Sequence, residues 1–288
     1  MSDRIYNELP GMRFSTLKAG AVSARHLKHA IEHPFAGNAA TEWGNKIHKR
    51  VLEPVAFSAE AVDVPDAFVS KATGKMLDNQ KVKDWRVGYD AEALLVTAPE
   101  RESLDTIHAN IMEHEDARCW IESADRIEAF GQWTETVQTA GTEIDIQCKW
   151  KADAICTRLR LLWDLKSIGT SQTPISEAMC VKAIANRLYH SQLSWYSKGL
   201  IREGVDISAH GFVFVESQAP FDVVVIQADA DMMAKGYELA ERLLARYATG
   251  LVTGRWPGVA EKLVIGKLPK WPGVEVGESS DELSAWGI

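Results

Sequence analysis

The 288-residue chain lacks the cysteine pattern of a metal knuckle or of a disulfide framework. Its four cysteines are widely separated and form no Cys-x-x-Cys pair. Zinc knuckles, iron–sulfur clusters and disulfide-stapled domains need closely spaced or regularly paired cysteines. The spacing therefore argues against these three classes and is typical of a protein in a reducing cytoplasm. The cysteines are Cys119, Cys148, Cys156 and Cys180.

Long apolar runs are also missing. The longest, such as those at 212–215 and 223–226, are far shorter than the roughly 20 residues that a membrane helix needs. Residues 1–11 lack the apolar stretch of a secretory signal. With 46% hydrophobic and 25% charged residues, the chain is typical of a globular protein with one large or two modest domains. We expect a cytoplasmic protein without membrane association.

The chain has no overall excess of positive charge. A formal net charge of −8 and a pI near 5.6 offer no global attraction to nucleic acid, so any DNA contact must be local. One candidate is the stretch 70–86, which is predicted to be a loop and carries five cations. Its acidic residues Asp78 and Asp84 leave open the alternative of a solvated surface loop. The five candidate DNA-binding residues are Lys71, Lys75, Lys81, Lys83 and Arg86.

Helical and strand-like patterns alternate along the chain, without repeats or low-complexity segments. The third predicted helix opens with Thr97 and Glu100, the capping-box pattern of a first turn. Hydrophobic periodicity predicts helices at 23–33, 43–54, 97–114, 174–188, 189–203 and 229–249, and strands at 124–136, 143–156, 159–168, 209–216 and 221–228.

Two of these strands carry charged residues in a pattern that suggests a site. Strict alternation over 144–154 puts one face in the core and places Asp153 on the polar face. On the next strand, Asp164 and Lys166 are two residues apart and so share a face. The short connection predicts antiparallel neighbours, which brings the three residues close together.

Two close carboxylates on a semi-buried sheet repel each other unless a cation or a proton lies between them. Oxygen ligands of this kind suit Mg²⁺, with Mn²⁺ as a substitute, and both ions accept substrate phosphate as a further ligand. The pattern therefore points to phosphodiester chemistry. The Asp-x-Lys triplet alone leaves open that Asp164 and Lys166 are surface residues of an edge strand and that Asp153 opens a turn.

Four further stretches accompany this triplet, in order, between about residue 6 and residue 203. Together with it they resemble the PD-(D/E)XK nucleases, and within them the phage-type exonuclease VIII (RecE-like) branch. The stretches are an N-terminal helix with Ser15, "WGNKIHKRVLEP" with Gly44, His48, Glu53 and Pro54, a segment leading to Glu128 and Trp133, and "YHSQLSWYSKGL" with Gln192 and Tyr196.

The resemblance implies an α/β (α+β) fold, a PD-(D/E)XK core with a central mixed sheet flanked by helices. We expect a single exonuclease domain over 1–275, with a helical part at 1–120 and the catalytic sheet and helices at 121–275. Residues 276–288 are expected to be a flexible tail.

The resemblance also implies roles for individual residues. Asp153, Asp164, His48 and the carbonyl of Leu165 would hold one or two Mg²⁺ ions, and Lys166 would orient the attacking water and offset charge on the phosphate. A lone His beside an apolar stripe is more often a core residue, but the carboxylate pair favours ligation for His48. Glu128 could ligate metal through water or bond to its neighbours. Gln192 and Tyr196 would border the site.

Glu53 is five residues from His48, which rotates it about 140° around the helix, and it is interpreted as structural. The implied activity is Mg²⁺-dependent, processive 5′-to-3′ digestion of linear double-stranded DNA in phage-type homologous recombination. A single-strand annealing recombinase and a ring-shaped homo-oligomer are the implied partners. The basic stretch is a candidate lining for the ring channel. The alternatives are a non-catalytic DNA-binding or assembly protein on a nuclease scaffold, and an endonuclease of the same superfamily.

Overall fold

The computed structural model describes residues 2–90, 93–169 and 173–266. The expected tail at 276–288 lies outside the described residues. The helices are α1 (Ser2–Glu8), α2 (Phe14–Leu17), α3 (Ala24–Glu32), α4 (Ala39–Leu52), α5 (Pro54–Glu60), α6 (Gln80–Arg86), α7 (Ala98–Glu113), α8 (Glu115–Ser123), α9 (Glu177–Asn186), α10 (Tyr189–Arg202) and α11 (Ala230–Thr253). The strands are β1 (Met12–Arg13), β2 (Val62–Asp63), β3 (Leu95–Val96), β4 (Arg126–Thr139), β5 (Thr142–Cys156), β6 (Leu161–Ile168), β7 (Ala209–Glu216) and β8 (Val223–Gln227). Two 3₁₀ turns, Lys18–Ala21 and Asp66–Phe68, complete the described elements.

A mixed six-stranded sheet lies at the centre of the protein. β4 and β5 form a long antiparallel hairpin, and β5 is also antiparallel to β6. β6 and β7 run parallel, β7 and β8 antiparallel, and β1 adds a short parallel pairing with β5. With helices packed on both faces, this architecture confirms the predicted fold class.

Each face of the sheet carries its own hydrophobic core, because the strand residues alternate between the two faces. On the first face, apolar residues of β5 pack against α10 and α11. On the second face, apolar residues of β6 pack against α4 and α7. The first core includes Cys148, Trp150, Leu162, Leu193, Trp195 and Leu244, and the second includes Ile47, Val51, Leu104, Trp163, Leu165 and Val213.

The alternation in β5 changes phase at Asp153, which corrects the prediction of one continuous apolar face over 144–154. Ala152 packs in the first core, but Ala154 packs in the second. β4 changes face at the same level: Ala129 pairs with Ala152, and Ile127 pairs with Ala154.

The residue between these two β4 positions is Glu128, which lies opposite Asp153 and has a φ of +51°. A left-handed residue of this kind interrupts the alternation of a strand. The two carboxylates therefore lie where the hairpin passes from one core to the other.

Several predicted elements differ from the observed ones at their ends, and one differs in kind. α4 begins at Ala39, four residues before the predicted start, because the Asn38 side chain accepts a hydrogen bond from the Thr41 amide at 3.0 Å. The basic stretch is not a continuous loop as predicted, since its second half forms α6, capped by Asn79. The capping box of α7 is present, with the Thr97 amide donating to Glu100 at 3.0 Å.

Within the described residues, no helix combines the length and the apolar character that crossing a membrane requires.

Candidate active site

An opening between β5 and β6 places Asp153 at the centre of the site. The two strands are paired only at Ala154↔Trp163, Ile155↔Leu162 and Cys156↔Leu161. Just beyond the Ala154↔Trp163 pair, Asp153 Oδ2 accepts a hydrogen bond from the backbone amide of Leu165 at 2.7 Å. Because β5 and β6 diverge here, the Leu165 amide has no backbone partner on β5, and the Asp153 carboxylate accepts its hydrogen bond instead. This bond holds Asp153 beside Asp164 and Lys166 of β6.

Asp164 and Lys166 extend from β6 toward α10 and form a buried ion pair. Asp164 is 1% exposed, and its Oδ2 contacts Lys166 Nζ. Apart from this ion pair, neither Asp164 oxygen has a hydrogen-bond partner among the described residues. The buried carboxylate therefore has the Lys166 ammonium as its donor but lacks the further donors that normally stabilise such a charge.

The pKa values of this pair follow from burial and from the neighbouring charges. Burial, followed by the negative charge of Asp153, raises the pKa of Asp164 to about 7, although Lys166 opposes the change. Burial lowers the pKa of Lys166, but Asp164 and Asp153 outweigh it, and the pKa is raised. Lys166 is therefore a fixed cation at neutral pH, while Asp164 lies in surroundings that favour either a proton or an added cation.

His48 extends from α4 on the opposite side of the sheet and completes a group of three possible ligands. Its Nδ1 is 3.5 Å from Asp153 Oδ2 and 3.9 Å from Glu128 Oε1. One ligand atom from each of His48, Glu128 and Asp153 lies within 4.8 Å of the others. An imidazole nitrogen with two carboxylate oxygens is a donor set that divalent cations accept.

Electrostatic interactions hold this group together. Burial lowers the pKa of His48, but Asp153 and Glu128 outweigh it and the pKa is raised. Burial raises the pKa of Glu128, but hydrogen bonding to His48 and the charge of Lys151 lower it overall. Glu128 thus stays ionised, with Lys151 Nζ in contact with its second oxygen.

The side chains of the cluster fit a divalent metal ion. The donor set of His48, Glu128 and Asp153 is compact, and the adjacent Asp164 is buried, has no donor other than the Lys166 ammonium among the described residues, and is raised in pKa. Both features are what a binding site for a hard divalent cation requires. The residues fit such a cation, with Glu128 closer to His48 and Asp153 than the sequence pattern indicated.

α10 borders the site from the first face of the sheet. Lys166 Nζ is 4.8 Å from the centre of the Tyr189 ring, a cation–π distance. Gln192 Nε2 donates a hydrogen bond to the hydroxyl of Tyr196 at 2.6 Å, and burial raises the pKa of Tyr196 well above its usual value. Gln192 and Tyr196 are thus in contact with each other and remain predicted border residues.

The remaining predicted positions are more peripheral. Leu165 contributes its amide to Asp153, its side chain is in the second core, and its carbonyl remains a predicted ligand. Glu53 lies after the end of α4, where its Oε2 is 2.9 Å from Lys49 Nζ. That pairing agrees with the structural interpretation of Glu53.

No hydrogen bond or ion pair joins the basic stretch to the carboxylate cluster within the described residues. The stretch is instead anchored to α7, where the Thr97 hydroxyl donates to the carbonyl of Gly74 at 2.8 Å. α7 is linked in turn to α4, since Lys46 Nζ is 2.7 Å from Glu100 Oε2. Lys83 forms an ion pair with Asp78, whereas the other predicted DNA-binding cations have no carboxylate partner among the described residues: Lys71, Lys75, Lys81 and Arg86.

The sequence interpretation missed three basic residues near the site. Lys151 contacts Glu128, and its place on the polar face of β5, two residues before Asp153, was an available signal. Arg187 donates a hydrogen bond to the hydroxyl of Tyr189, whose ring contacts Lys166. Burial, followed by the positive charges of Lys166 and Arg187, lowers the pKa of Lys18. Lys18 and Arg187 come from distant segments, so no local spacing could have indicated them.

The sheet, the opening between its central strands and the Asp153, Asp164 and Lys166 cluster define a domain of the PD-(D/E)XK nuclease class. Residues 14–268 match the family described as the PDDEXK-like domain of unknown function, DUF3799. The match spans most of the chain, and the chain belongs to this family.

A solved structure has a similar fold. A protein from Eubacterium rectale, provisionally described as an exonuclease, is similar with a TM-score of 0.53 and 11% identity over 90% of this chain and 91% of that chain. A phage-related exonuclease from Haemophilus somnus 129PT has a TM-score of 0.31 and 14% identity over 73% of this chain and 94% of that chain, too low a similarity to carry an argument. Among curated proteins, none matches this chain.

Proposed function

We propose that this protein is a metal-dependent exodeoxyribonuclease of the RecE-like type, which hydrolyses phosphodiester bonds of linear double-stranded DNA. The observation that carries the proposal is the buried Asp164–Lys166 pair beside Asp153, in the opening between β5 and β6. Aspartates next to a fixed ammonium suit hydrolysis of a phosphodiester, since both a metal and a cation are available to the phosphate.

In this proposal, Asp153, Asp164, His48, Glu128 and the carbonyl of Leu165 hold Mg²⁺, and Mn²⁺ substitutes for it. When bound, the metal supplies Lewis acidity toward the phosphate and activation of water. Lys166 contributes a positive charge that stabilises the phosphorane-like transition state. Because its pKa is raised, Lys166 acts as a cation and hydrogen-bond donor rather than as a base at neutral pH.

Gln192 and Tyr196 position the groups around Lys166 in this proposal. Their mutual hydrogen bond at 2.6 Å fixes the amide of Gln192 on α10, and the Tyr189 ring packs against the ammonium of Lys166. The Tyr189 contact restricts the long lysine side chain, which lowers the entropic cost of orienting its ammonium toward a phosphate.

The finer features of the proposal rest on the resemblance of the five motifs to RecE-like enzymes. They are 5′-to-3′ polarity, processivity through a ring-shaped homo-oligomer, cooperation with a single-strand annealing recombinase and a role in phage-type recombination. A cytoplasmic location is part of the same proposal, and the free thiols of the four cysteines fit a reducing compartment.

The test compares linear with closed-circular duplex DNA, each with Mg²⁺ and with EDTA. We expect the linear duplex to be degraded in Mg²⁺ but not in EDTA, with mononucleotides or a single-stranded product accumulating, and the closed circle to stay intact. Cutting of closed circles would instead favour the endonuclease of the same superfamily. Tight DNA binding without cleavage of either substrate, in Mg²⁺ or Mn²⁺, would favour the non-catalytic alternative.

The basic stretch is proposed to contact the DNA backbone. Lys81→Glu is expected to weaken duplex binding. It should also reduce the magnitude of the slope of log affinity against log salt concentration by about 0.9 for each phosphate that the variant no longer neutralises. Lys83→Glu should have a smaller effect, because Lys83 is already paired with Asp78 at 2.9 Å. Fluorescence anisotropy at several salt concentrations measures both variants.

The matched control is Lys235→Glu, an exposed lysine of α11 outside the basic stretch. If Lys81→Glu and Lys235→Glu change the affinity and the salt slope equally, the effect is one of net charge, and the proposed contact is wrong.

A further inference from the structure

Two histidines lie one helical turn apart at the C-terminal end of α3. His29 is in the last turn of the helix and His33 is its C-cap, four residues further on, so the two side chains share one helix face. Their ring centres are 4.3 Å apart, the rings are inclined by 22°, and both residues are exposed. Helical histidines at this spacing hold zinc in metal-dependent hydrolases, because the two imidazoles reach one ion from successive turns.

The hydrogen bonding of His33 leaves one of its ring nitrogens available to a metal. His33 Nδ1 is 3.2 Å from the carbonyl oxygen of His29, which also accepts the His33 backbone amide at 2.8 Å. A carbonyl oxygen only accepts, so Nδ1 carries the proton, and Nε2 of the neutral ring keeps its lone pair. Histidines that bind metals commonly have this arrangement, in which a backbone carbonyl binds the second ring nitrogen and orients the ring.

The spacing of the two rings is compatible with a shared ion. Zinc–nitrogen bonds of about 2.0–2.1 Å hold two ligating nitrogens no more than about 4 Å apart, close to the 4.3 Å between the ring centres. Within the part of the chain that the structure describes, no hydrogen bond occupies a ring nitrogen of His29. The stacked rings have to turn until their nitrogens converge, and exposed side chains turn without disturbing a core.

The end of α3 also favours a cation. The carbonyls of a last helical turn carry a partial negative charge, which attracts a positive ion placed beside them. Two charged side chains lie in the same turns, Lys28 and Glu32, and they offset each other, since Lys28 Nζ is 3.7 Å from Glu32 Oε1. The helix end is therefore the main local source of electrostatic attraction.

The two donors select a transition metal over magnesium. Imidazole nitrogen suits Zn²⁺, Ni²⁺ and Cu²⁺, whereas Mg²⁺ prefers oxygen ligands. The compact group of three possible ligands among the described residues is the separate cluster of His48, Glu128 and Asp153. His29 and His33 thus leave the remaining positions around an ion to water or to a group from another molecule, unlike a hydrolytic zinc centre with three protein ligands.

We propose that His29 and His33 form a surface site for a divalent transition-metal ion, with Zn²⁺ as the expected occupant because it accepts imidazole in tetrahedral coordination completed by water. The site uses none of the residues of the candidate active site and does not depend on the proposed nuclease function. His33 precedes the segment 34–38 that leads into α4. A bound ion would therefore tie the end of α3 just before the helix that carries His48.

Isothermal titration with Zn²⁺ tests the site on the full chain without a histidine tag, because a tag would itself bind the ion. His29→Ala and His33→Ala are each expected to weaken Zn²⁺ binding at least about 10-fold, since even a partner outside the ligand shell is worth about 10- to 100-fold in metal affinity. The matched control is His26→Ala, an exposed histidine of the same helix whose Nδ1 is 2.7 Å from the Ser23 hydroxyl. It should bind Zn²⁺ like the wild type.

A further variant separates this site from the candidate active site. Asp153→Ala removes a ligand of the carboxylate cluster and is expected to keep the Zn²⁺ binding that His29→Ala loses. Retention of the untagged protein on immobilised Ni²⁺ should follow the same pattern, and circular dichroism checks that each variant is folded.

Three results would overturn the proposed site. The first is a wild type that does not bind Zn²⁺. The second is unchanged binding by His29→Ala and His33→Ala, with loss in Asp153→Ala, which assigns the ion to the carboxylate cluster. The third is equal weakening by His26→Ala, which shows that the ion is not held by the pair. Absence of DNA cleavage by the wild type would end the nuclease proposal and leave this test unaffected.

Discussion

Replacing Lys166 with methionine is expected to reduce DNA cleavage by roughly 10²–10³-fold in kcat, the size of effect seen when one preorganised charge donor is removed from an active site. Methionine keeps much of the length of the side chain next to Tyr189 but removes the ammonium that contacts Asp164. Single-turnover cleavage of a linear duplex in Mg²⁺ measures the change at the chemical step.

The interpretation of Lys166→Met depends on two controls. The first is Lys182→Met, which removes an exposed lysine on α9 and should cleave at the wild-type rate. The second is the double variant Lys166→Met/Asp164→Asn, because Lys166→Met alone leaves a buried carboxylate without its cation. We expect the double variant to recover thermal stability but not cleavage. Cleavage at the wild-type rate by folded Lys166→Met would rule out the assigned role of Lys166.

Divalent metal is expected to stabilise the protein against heat, and Asp164→Asn is expected to abolish that stabilisation. A ligand at 100 times its Kd stabilises the folded state by about 2.7 kcal/mol, which moves the Tm of a chain of this size by several degrees. The physical reason is the buried carboxylate of Asp164, which has no donor other than the Lys166 ammonium among the described residues and lies next to Asp153. Differential scanning calorimetry with Mg²⁺, with Mn²⁺ and with EDTA measures the shift.

The matched control is Asp145→Asn on the same strand as Asp153. Asp145 is exposed, accepts a hydrogen bond from the Thr136 hydroxyl at 2.7 Å, and lies far along β5 from Asp153. It should keep the full metal-induced shift. If Asp164→Asn keeps the shift as well, the metal is not bound by Asp164. If the wild type shows no shift with either ion, the cluster does not bind these metals.

Much of the site could be predicted from the sequence because it depends on local geometry. The two-residue separation of Asp164 and Lys166 fixes them on one face of a strand, and a short connection brings Asp153 to the neighbouring strand. The structure places the three residues together. The alternation of apolar residues also predicted the main strands and the mixed α/β class.

The parts that the sequence could not predict depend on tertiary contacts. The change of face at Asp153 arises from the left-handed conformation of Glu128 on the partner strand, and no residue type in either strand signals it. The helix Gln80–Arg86 was predicted as a loop because it is short and mostly charged, and its order depends on the Asn79 cap and on burial of Val82. Arg187 and Lys166 reach the same Tyr189 side chain only after folding.

The opening between β5 and β6 makes the candidate active site a junction between the two layers of helices on either face of the sheet. His48 is carried by a helix that packs in the second core, whereas Tyr189 and Tyr196 belong to a helix that packs in the first. The distance from the imidazole to the ammonium of Lys166 is therefore set by how the two layers are stacked across the sheet, and by no single layer alone. A substitution that loosens either layer, however remote, is therefore expected to change the spacing of the candidate site while every one of its side chains is still present.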